Sequence, residues 1–329
     1  VARNNPWYNP SLLHHTPQGF RNLNAPEHQP GDVERWRKER KAAGLPKPPA
    51  CGYEQFIRDW WQPVDLNVPE GDGVWWLGHA SLLLRLNDQY ILTDPVLSQR
   101  ASPLSFAGPM RKTPTAISVA ELPPLDALVI SHNHYDHLDS ATIRQLMRRF
   151  PHLTVFVPLG LGAWFRRRGA TRIVELDWWQ SYIHQGITYT AVPAQHWSMR
   201  SMWDRNSALW CGWVFEGQRQ RFWFSGDTGY TPELLTIPQR LGKLDAIAIP
   251  IGAYAPRWFM ATNHMDPQSA VSLWQQLGMP VAIPVHRGVF ELADESLDEP
   301  VRELQHALND TAMINNRFNI LKIGQYLSL

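Results

Sequence analysis

Between Ser131 and His137 the chain reads Ser-His-Asn-His-Tyr-Asp-His, so His132, His134, Asp136 and His137 fall within a few residues of one another. Imidazoles and a carboxylate at this density suit Zn²⁺ or a similar borderline metal ion. Histidines buried for structural reasons are usually satisfied singly by hydrogen bonds, which explains a cluster poorly. The same residue types recur where apolar runs end. Asp94 follows Tyr90-Ile91-Leu92-Thr93, and His196 follows Ala191-Val192-Pro193-Ala194-Gln195. Asp227 lies in Ser225-Gly226-Asp227, and His286 follows Val281–Val285. One His or Asp at a strand end is commonly only a cap or turn residue. Their weight comes from the joint pattern with the cluster.

The elements around these residues must aim them. The mostly apolar stretch Asp126–Ile130 leads into the cluster, and the amphipathic stretch Ala141–Phe150 follows it, which predicts strand, loop and helix. Strands are also expected over 74–77, 81–86 and 89–93, with Asn87-Asp88 as a hairpin turn. Later strands are expected over 154–157, 172–176, 187–192, 212–215, 221–224, 246–250, 281–285 and 319–323. Helices are expected over 162–168, 232–241, 267–277 and 300–309. Hairpin-linked strands followed by interspersed helices suit two packed sheets with helices outside. Residues 1–70 differ, being rich in Pro, Asn, His and charge. They read as an N-terminal arm lying over a compact domain of residues 71–329. One charged helix is expected in the arm, Val33–Ala43, capped by Asp32 and followed by Gly44.

Bulk properties narrow the function. A net charge of +1 provides no basic field for nucleic acid. Cys51 and Cys211 form no CxxC pair, so a reducing, cytoplasmic setting is the default. No apolar run is long enough to span a bilayer, which limits membrane contact to the periphery. The chain opens on Val1 and not Met, which leaves a removed signal or anchor open. Tryptophan is over-used, with 16 copies, and its ordinary place is the core. The alternative is a substrate groove or a membrane-facing surface.

The order His132-x-His134-x-Asp136-His137, then His196, then Ser-Gly-Asp227, then His286 resembles the metallo-β-lactamase superfamily. The resemblance implies a four-layered αββα sandwich with a binuclear metal site at one edge of the sheets. By position, His132, His134 and His196 would hold one metal. Asp136, His137 and His286 would hold the other, with Asp227 bridging the two. A closer resemblance is carried by Trp76-Leu77-Gly78-His79-Ala80, Leu92-Thr93-Asp94-Pro95, Glu175-Leu176-Asp177-Trp178-Trp179, Gly226-Asp227-Thr228-Gly229-Tyr230 and His264-Met265-Asp266-Pro267. These runs are similar to the family of phospholipases D that hydrolyse N-acylphosphatidylethanolamine. The similarity extends over nearly everything from Val74 to Leu327, while the arm matches poorly.

That family resemblance implies two Zn²⁺ ions, with Fe or Mn also accepted by such ligands. It implies a phosphodiesterase that uses a metal-activated hydroxide on a phospholipid, releasing N-acylethanolamine and phosphatidic acid. Asp136 and Asp227 would accept the water proton. Tyr135 and His264 would contact substrate, and His264 would donate to a phosphoryl or leaving oxygen. Asp94 is expected to orient a metal-bound imidazole. His79 has two readings of equal weight: a second such orienting group, or a packed turn histidine. Two departures stand out. Arg287 follows His286 where an aromatic is expected, and Ser105-Phe106 replaces a larger polar residue and a tyrosine. Both are expected to bear on substrate shape. A hydrolase of another ester, lactone, β-lactam or soluble phosphodiester is the alternative, because fold and metal do not set the substrate. A non-catalytic lipid-binding module ranks below it. Oligomeric state is not readable.

Overall fold

Alternation inside the strands builds the architecture. Side chains of Trp76, Leu82, Leu84, Ile91 and Val129 enter one core, while their neighbours Trp75, Leu83, Leu92 and Leu128 enter another. Successive strand residues face opposite ways, and both faces of these strands are covered, so the runs are apolar throughout. The computed structural model describes residues 4–309 and 317–329.

The first sheet has seven strands, in the spatial order Tyr326–Ser328, Gly73–Gly78, Ser81–Leu86, Gln89–Thr93, Ala127–Val129, Thr154–Pro158 and Arg172–Leu176. The second has six, in the order Val281–Val285, Ala246–Pro250, Arg221–Phe224, Gly212–Glu216, Ile187–Val192 and Ser181–His184. The sheets face each other through Phe156, Tyr189, Trp213, Phe215 and Phe222, with the Phe156 and Tyr189 rings stacked 3.9 Å apart. The outer face of the first sheet packs on Ile143 and Leu146 of helix Ser140–Arg149 and on Phe165 of Gly162–Arg166. The outer face of the second packs on Leu273 and Trp274 of helix Pro267–Gln276 and on Leu304 of Glu299–Asn309. The layers are helix, sheet, sheet, helix, as the αββα expectation requires.

Several elements depart from expectation. Residues 319–323 are not a strand. Isolated bridges join Phe318 to Ala282 of the second sheet and Ile323 to Trp61, and the last strand is instead Tyr326–Ser328, paired with Gly73–Trp75. The segment is apolar because it is covered: Phe318 joins the outer core, and Leu321 and Ile323 join the inter-sheet core. Asp32 is the first residue of helix Asp32–Ala42 and not its cap; its carboxylate accepts the Gln29 N–H at 2.7 Å. Helix Tyr53–Trp60 buries only Phe56, and strand Ser181–His184 is largely exposed, so neither carries a strong apolar pattern.

Residues before Gly73 make specific contacts. His14 and His15 meet Asp177, the Asn22 side chain pairs with the His196 backbone, and Trp36 stacks on Phe259. Of the tryptophans, Trp75, Trp76, Trp210, Trp213, Trp223 and Trp274 are fully buried, whereas Trp203 and Trp258 are exposed. Both cysteines are free. Among the described residues no helix is long and apolar enough to cross a membrane.

Candidate metal centre

The candidate ligands sit where strands end. Ala127–Val129 runs into the His132–His137 loop, Val281–Val285 into His286, Arg221–Phe224 into Asp227, and Ile187–Val192 towards His196. Gln89–Thr93 delivers Asp94, and Gly73–Gly78 delivers His79. His79, Asp94 and His286 all take positive φ, at 52°, 37° and 60°. For residues other than Gly this costs about 1–3 kcal/mol each and persists where the surroundings dictate it. Gly226 (φ 59°) lets the Asp227 loop pass the histidine loop, since a Cβ there would lie 2.7 Å from Ser131 Cβ.

These turns bring all seven expected ligand residues into one cluster. Asp227 Oδ2 lies 3.0 Å from Nε2 of both His137 and His286, 3.5 Å from His196 Nε2 and 3.7 Å from His132 Nε2. Asp136 Oδ2 lies 2.8 Å from His79 Nε2, 3.2 Å from His137 Nε2 and 3.4 Å from His286 Nε2. His196 Nε2 is 3.2 Å from His134 Nδ1. Within this cluster the sets compact enough to hold an ion include His132, His134 and His196, and His79, Asp136, His137 and His286.

The chemistry of the atoms fits metal ions. Nε2 of His132, His134, His137 and His286 and Oδ1 of Asp227 are buried with no hydrogen-bond partner. An unpaired buried polar atom costs about 1–3 kcal/mol, so a group of them around Asp136 and Asp227 calls for a cation; His134 turns Nδ1, not Nε2, towards His196 Nε2. The outer ring nitrogens of His137, His132 and His196 are committed, whereas Nδ1 of His286 has no partner. His137 Nδ1 meets Asp94 Oδ2 at 2.7 Å. The Ser131 hydroxyl donates to Asp94 Oδ2 at 2.6 Å, which leaves its oxygen to accept from His132 Nδ1 at 2.8 Å. His196 Nδ1 donates to the Asn263 carbonyl at 3.0 Å. Each of these bonds puts the proton outside and the Nε2 lone pair inside.

A family model described as a β-lactamase superfamily domain matches residues 89–287. The chain is 39% identical to N-acyl-phosphatidylethanolamine-hydrolyzing phospholipase D 1 of Caenorhabditis elegans, over 76% of this chain and 75% of that protein. The chain belongs to the metallo-β-lactamase superfamily, in the family of the N-acylphosphatidylethanolamine-hydrolysing phospholipases D. It is also 43% identical to an uncharacterized protein of Mycobacterium tuberculosis, over 72% of this chain, and spans only 65% of that relative. Its fold is similar to that of an isothiocyanate hydrolase from gut bacteria of Delia radicum, with a TM-score of 0.63, 18% identity and coverage of 79% of this chain and 99% of the other. The protein is thus a metal-dependent hydrolase with clustered candidate ligands.

Electrostatics agree with that. Burial, with neighbouring imidazoles, holds His132 well below the usual histidine value, and burial takes His134 to about 4 and His196 to about 3. Neutral imidazoles are what a metal requires. Burial also opposes charge on His137 and His286, but Asp227 and Asp136 overcome it, raising His137 well above its usual value and His286 to about 9. Burial likewise opposes ionisation of Asp136 and Asp227, and the adjacent His137 outweighs it, holding both carboxyls well below their usual value. Two buried carboxylates therefore stay ionised and need positive partners.

A cavity of about 260 Å³ opens over the centre, walled by His134, Tyr135, Asp136, Trp197, Asp227 and His264 among others. His264 Nδ1 is buried there without a partner. Tyr135 is turned so that its hydroxyl donates to the Arg200 carbonyl at 3.1 Å. His79 touches Asp136, and its carbonyl accepts from His286 N and Trp76 Nε1. Arg287 does not face the cavity. It is buried over the Trp76 ring at 4.1 Å and donates to the Leu321 carbonyl, so its effect on substrate shape is indirect at most. Phe106 is exposed.

Three supporting residues were not anticipated. Asn22 donates to the His196 carbonyl at 2.8 Å and accepts from its N–H at 3.1 Å. Nothing in the arm's sequence signals this, because its partner is 174 residues away. Asn263 supplies only a backbone carbonyl, which no side-chain pattern reports. Ser131 adjoins the cluster and was legible as its neighbour, though not as the link from Asp94 to His132.

Proposed function

We propose that this protein is a zinc-dependent phosphodiesterase of the phospholipase D type that converts N-acylphosphatidylethanolamine to N-acylethanolamine and phosphatidic acid. The observation that carries the reading is the set of unpaired, converging imidazole nitrogens around Asp136 and Asp227, in a chain so similar to a relative with that name. Two metal ions, one held by His132, His134 and His196 and the other by Asp136, His137 and His286 with Asp227 between, would supply a water oxygen nucleophilic near neutral pH and would neutralise phosphoryl charge.

The chain's own groups handle protons and position. As the water oxygen adds to phosphorus, Asp136 or Asp227 takes the released proton. The phosphorus–oxygen bond to the N-acylethanolamine breaks, and the departing oxygen takes the proton held by Asp136 or Asp227, while His264, kept neutral by burial and unpaired at the cavity wall, donates a hydrogen bond to it. Tyr135 forms the wall against which the head group lies. Asp94 and Ser131 keep His137 and His132 in the ligating tautomer. The working place is the cytoplasmic face of a membrane, reached peripherally.

The test is turnover of N-acylphosphatidylethanolamine by metal-loaded protein. Release of N-acylethanolamine by wild type and its loss in Asp136→Asn are expected. Full metal loading with turnover of soluble esters or phosphodiesters and none of the lipid would overturn the substrate assignment.

A further inference from the structure

Two cavities open between the same two loops. The loop after Asp94 gives Ala101 and Pro109 to the metal-side cavity, and Arg100 and Ser102–Ser105 to a larger one. The loop after His196 gives Trp197 and Met199 to the first, and Arg200, Ser201 and Asp204 to the second. Tyr135 lines both. The larger cavity holds about 790 Å³ and has no part in the chemistry above.

Its lining is cationic. It carries Arg100, Arg144, Arg167, Arg168 and Arg200 against Asp139 and Asp204. Both carboxylates are engaged locally. Asp139 Oδ2 accepts from Ser98 N, Ser98 Oγ and Thr142 Oγ1, and Asp204 Oδ1 accepts from the N–H groups of Arg200 and Ser201. Among the described residues, none of Arg144, Arg167, Arg168 and Arg200 forms an ion pair with a carboxylate. Arg200 is fixed by the carbonyls of Asn133 and Leu138 and lies 3.9 Å over the Tyr135 ring. Arg168 lies 3.6 Å over the Trp164 ring. Arg144 and Arg167 are exposed. Guanidiniums gathered without an anion repel one another, and their planar forks match phosphate oxygens.

The tips of both loops are apolar and exposed. Phe106 is 76% exposed, and Met202 and Trp203 are each 83% exposed. Leu104, on the cavity lining itself, is also exposed. Apolar and aromatic tips beside a cationic pocket suit an anionic bilayer surface.

We propose that the arginine-lined cavity is a second, non-catalytic phosphate site that takes the phosphomonoester head group of an anionic phospholipid while the Phe106 and Trp203 loops seat on the bilayer. The choice of a bilayer as the phosphate source rests on the lipid substrate proposed above; the arginine cavity itself does not.

The experiment is sedimentation of the metal-loaded full chain with phosphatidylcholine vesicles, plain or doped with phosphatidic acid. Doped vesicles are expected to bind more tightly. The Arg144→Gln/Arg167→Gln variant should bind doped vesicles about thirty-fold more weakly, since each arginine near an anionic surface contributes roughly fivefold. Both positions are exposed, so the fold is kept, and turnover of a soluble phosphodiester should be unchanged. Phe106→Ser with Trp203→Ser should weaken binding to both kinds of vesicle. Equal binding of doped vesicles by wild type and the double-arginine variant overturns the proposal. Glycerol 3-phosphate separates the sources. If it binds through Arg144 and Arg167 while doped vesicles bind no better than plain ones, the site serves a soluble phosphoester and the bilayer assignment falls. A protein that passes these binding tests but hydrolyses no N-acylated phospholipid keeps the phosphate site and loses the proposed substrate.

Discussion

His14, His15 and Asp177 form a buried group of two imidazoles and a carboxylate, and so do His137, His286 and Asp227. In the first group each ring has its own oxygen. His14 Nε2 meets Asp177 Oδ1 at 2.6 Å, and His15 Nε2 meets Oδ2 at 2.7 Å. His15 Nδ1 accepts from the N–H of Asn9 at 3.2 Å, which makes Nε2 the protonated nitrogen that donates inward. In the second group both rings crowd one oxygen at 3.0 Å, and their Nε2 atoms have no hydrogen-bond partner. Asp94 takes the outer proton of His137, so the lone pair faces in. The same residue types thus make a staple in one place and a candidate ligand set in the other. For His15 and His137 the partner on the far nitrogen sets the tautomer, and so which way the lone pair faces.

That contrast can be broken by substitution. Asp227→Ala should reduce metal content to background and abolish turnover, because it removes the oxygen shared by four imidazoles; metal analysis and a lipid assay would show it. Asp94→Asn keeps the ligands but releases His137 and Ser131, and should weaken metal affinity by about 10- to 100-fold in a chelator competition. Asp177→Ala should leave metal content unchanged while costing about 3 kcal/mol in urea unfolding, since it strands two buried imidazoles. Metal loss in that variant would erase the distinction between the two groups. Burial opposes ionisation of Asp177, but His14 and His15 outweigh it and hold its pKa below the usual value. The stabilisation is therefore present above the ordinary carboxylate pKa and fades as pH falls through the lowered one.

Glu295 sharpens the comparison as a buried carboxylate without an imidazole partner. Burial raises it to about 7, and backbone N–H donors such as Tyr254 only partly offset this. Its contribution to stability is full below the usual 4.5 and is lost as pH rises through about 7. Glu295→Gln should remove that decline, flattening urea stability across the window by about 3 kcal/mol. An unchanged slope would show that the carboxyl is better solvated than its surroundings suggest.

Much of the centre was legible along the chain. The His132–His137 spacing and the strand-end positions of Asp94, His196, Asp227 and His286 are local patterns, and short continuous apolar runs predicted most strands. What escaped had no local signal. Asn22 acts on a distant histidine, and residues 319–323 look like a strand because burial, not pairing, makes them apolar. Arg287 looked like a cavity residue by its position after His286, yet the turn at His286 sends it into the core.

The sequence alone determined the layered fold and the inventory of candidate metal-binding side chains, because side-chain type and apolar runs are local properties. Tertiary structure decided which nitrogen of each ring faces inward, since that depends on partners such as Asp94 and Asn263 brought in from other strands. It also decided that His14, His15 and Asp177, rich in the same groups, close on themselves. Arginines spread from Arg100 to Arg200 become one cavity only when two loops and two helix ends meet. Electrostatic and hydrogen-bond complementarity act through space, and spacing along the chain does not record them.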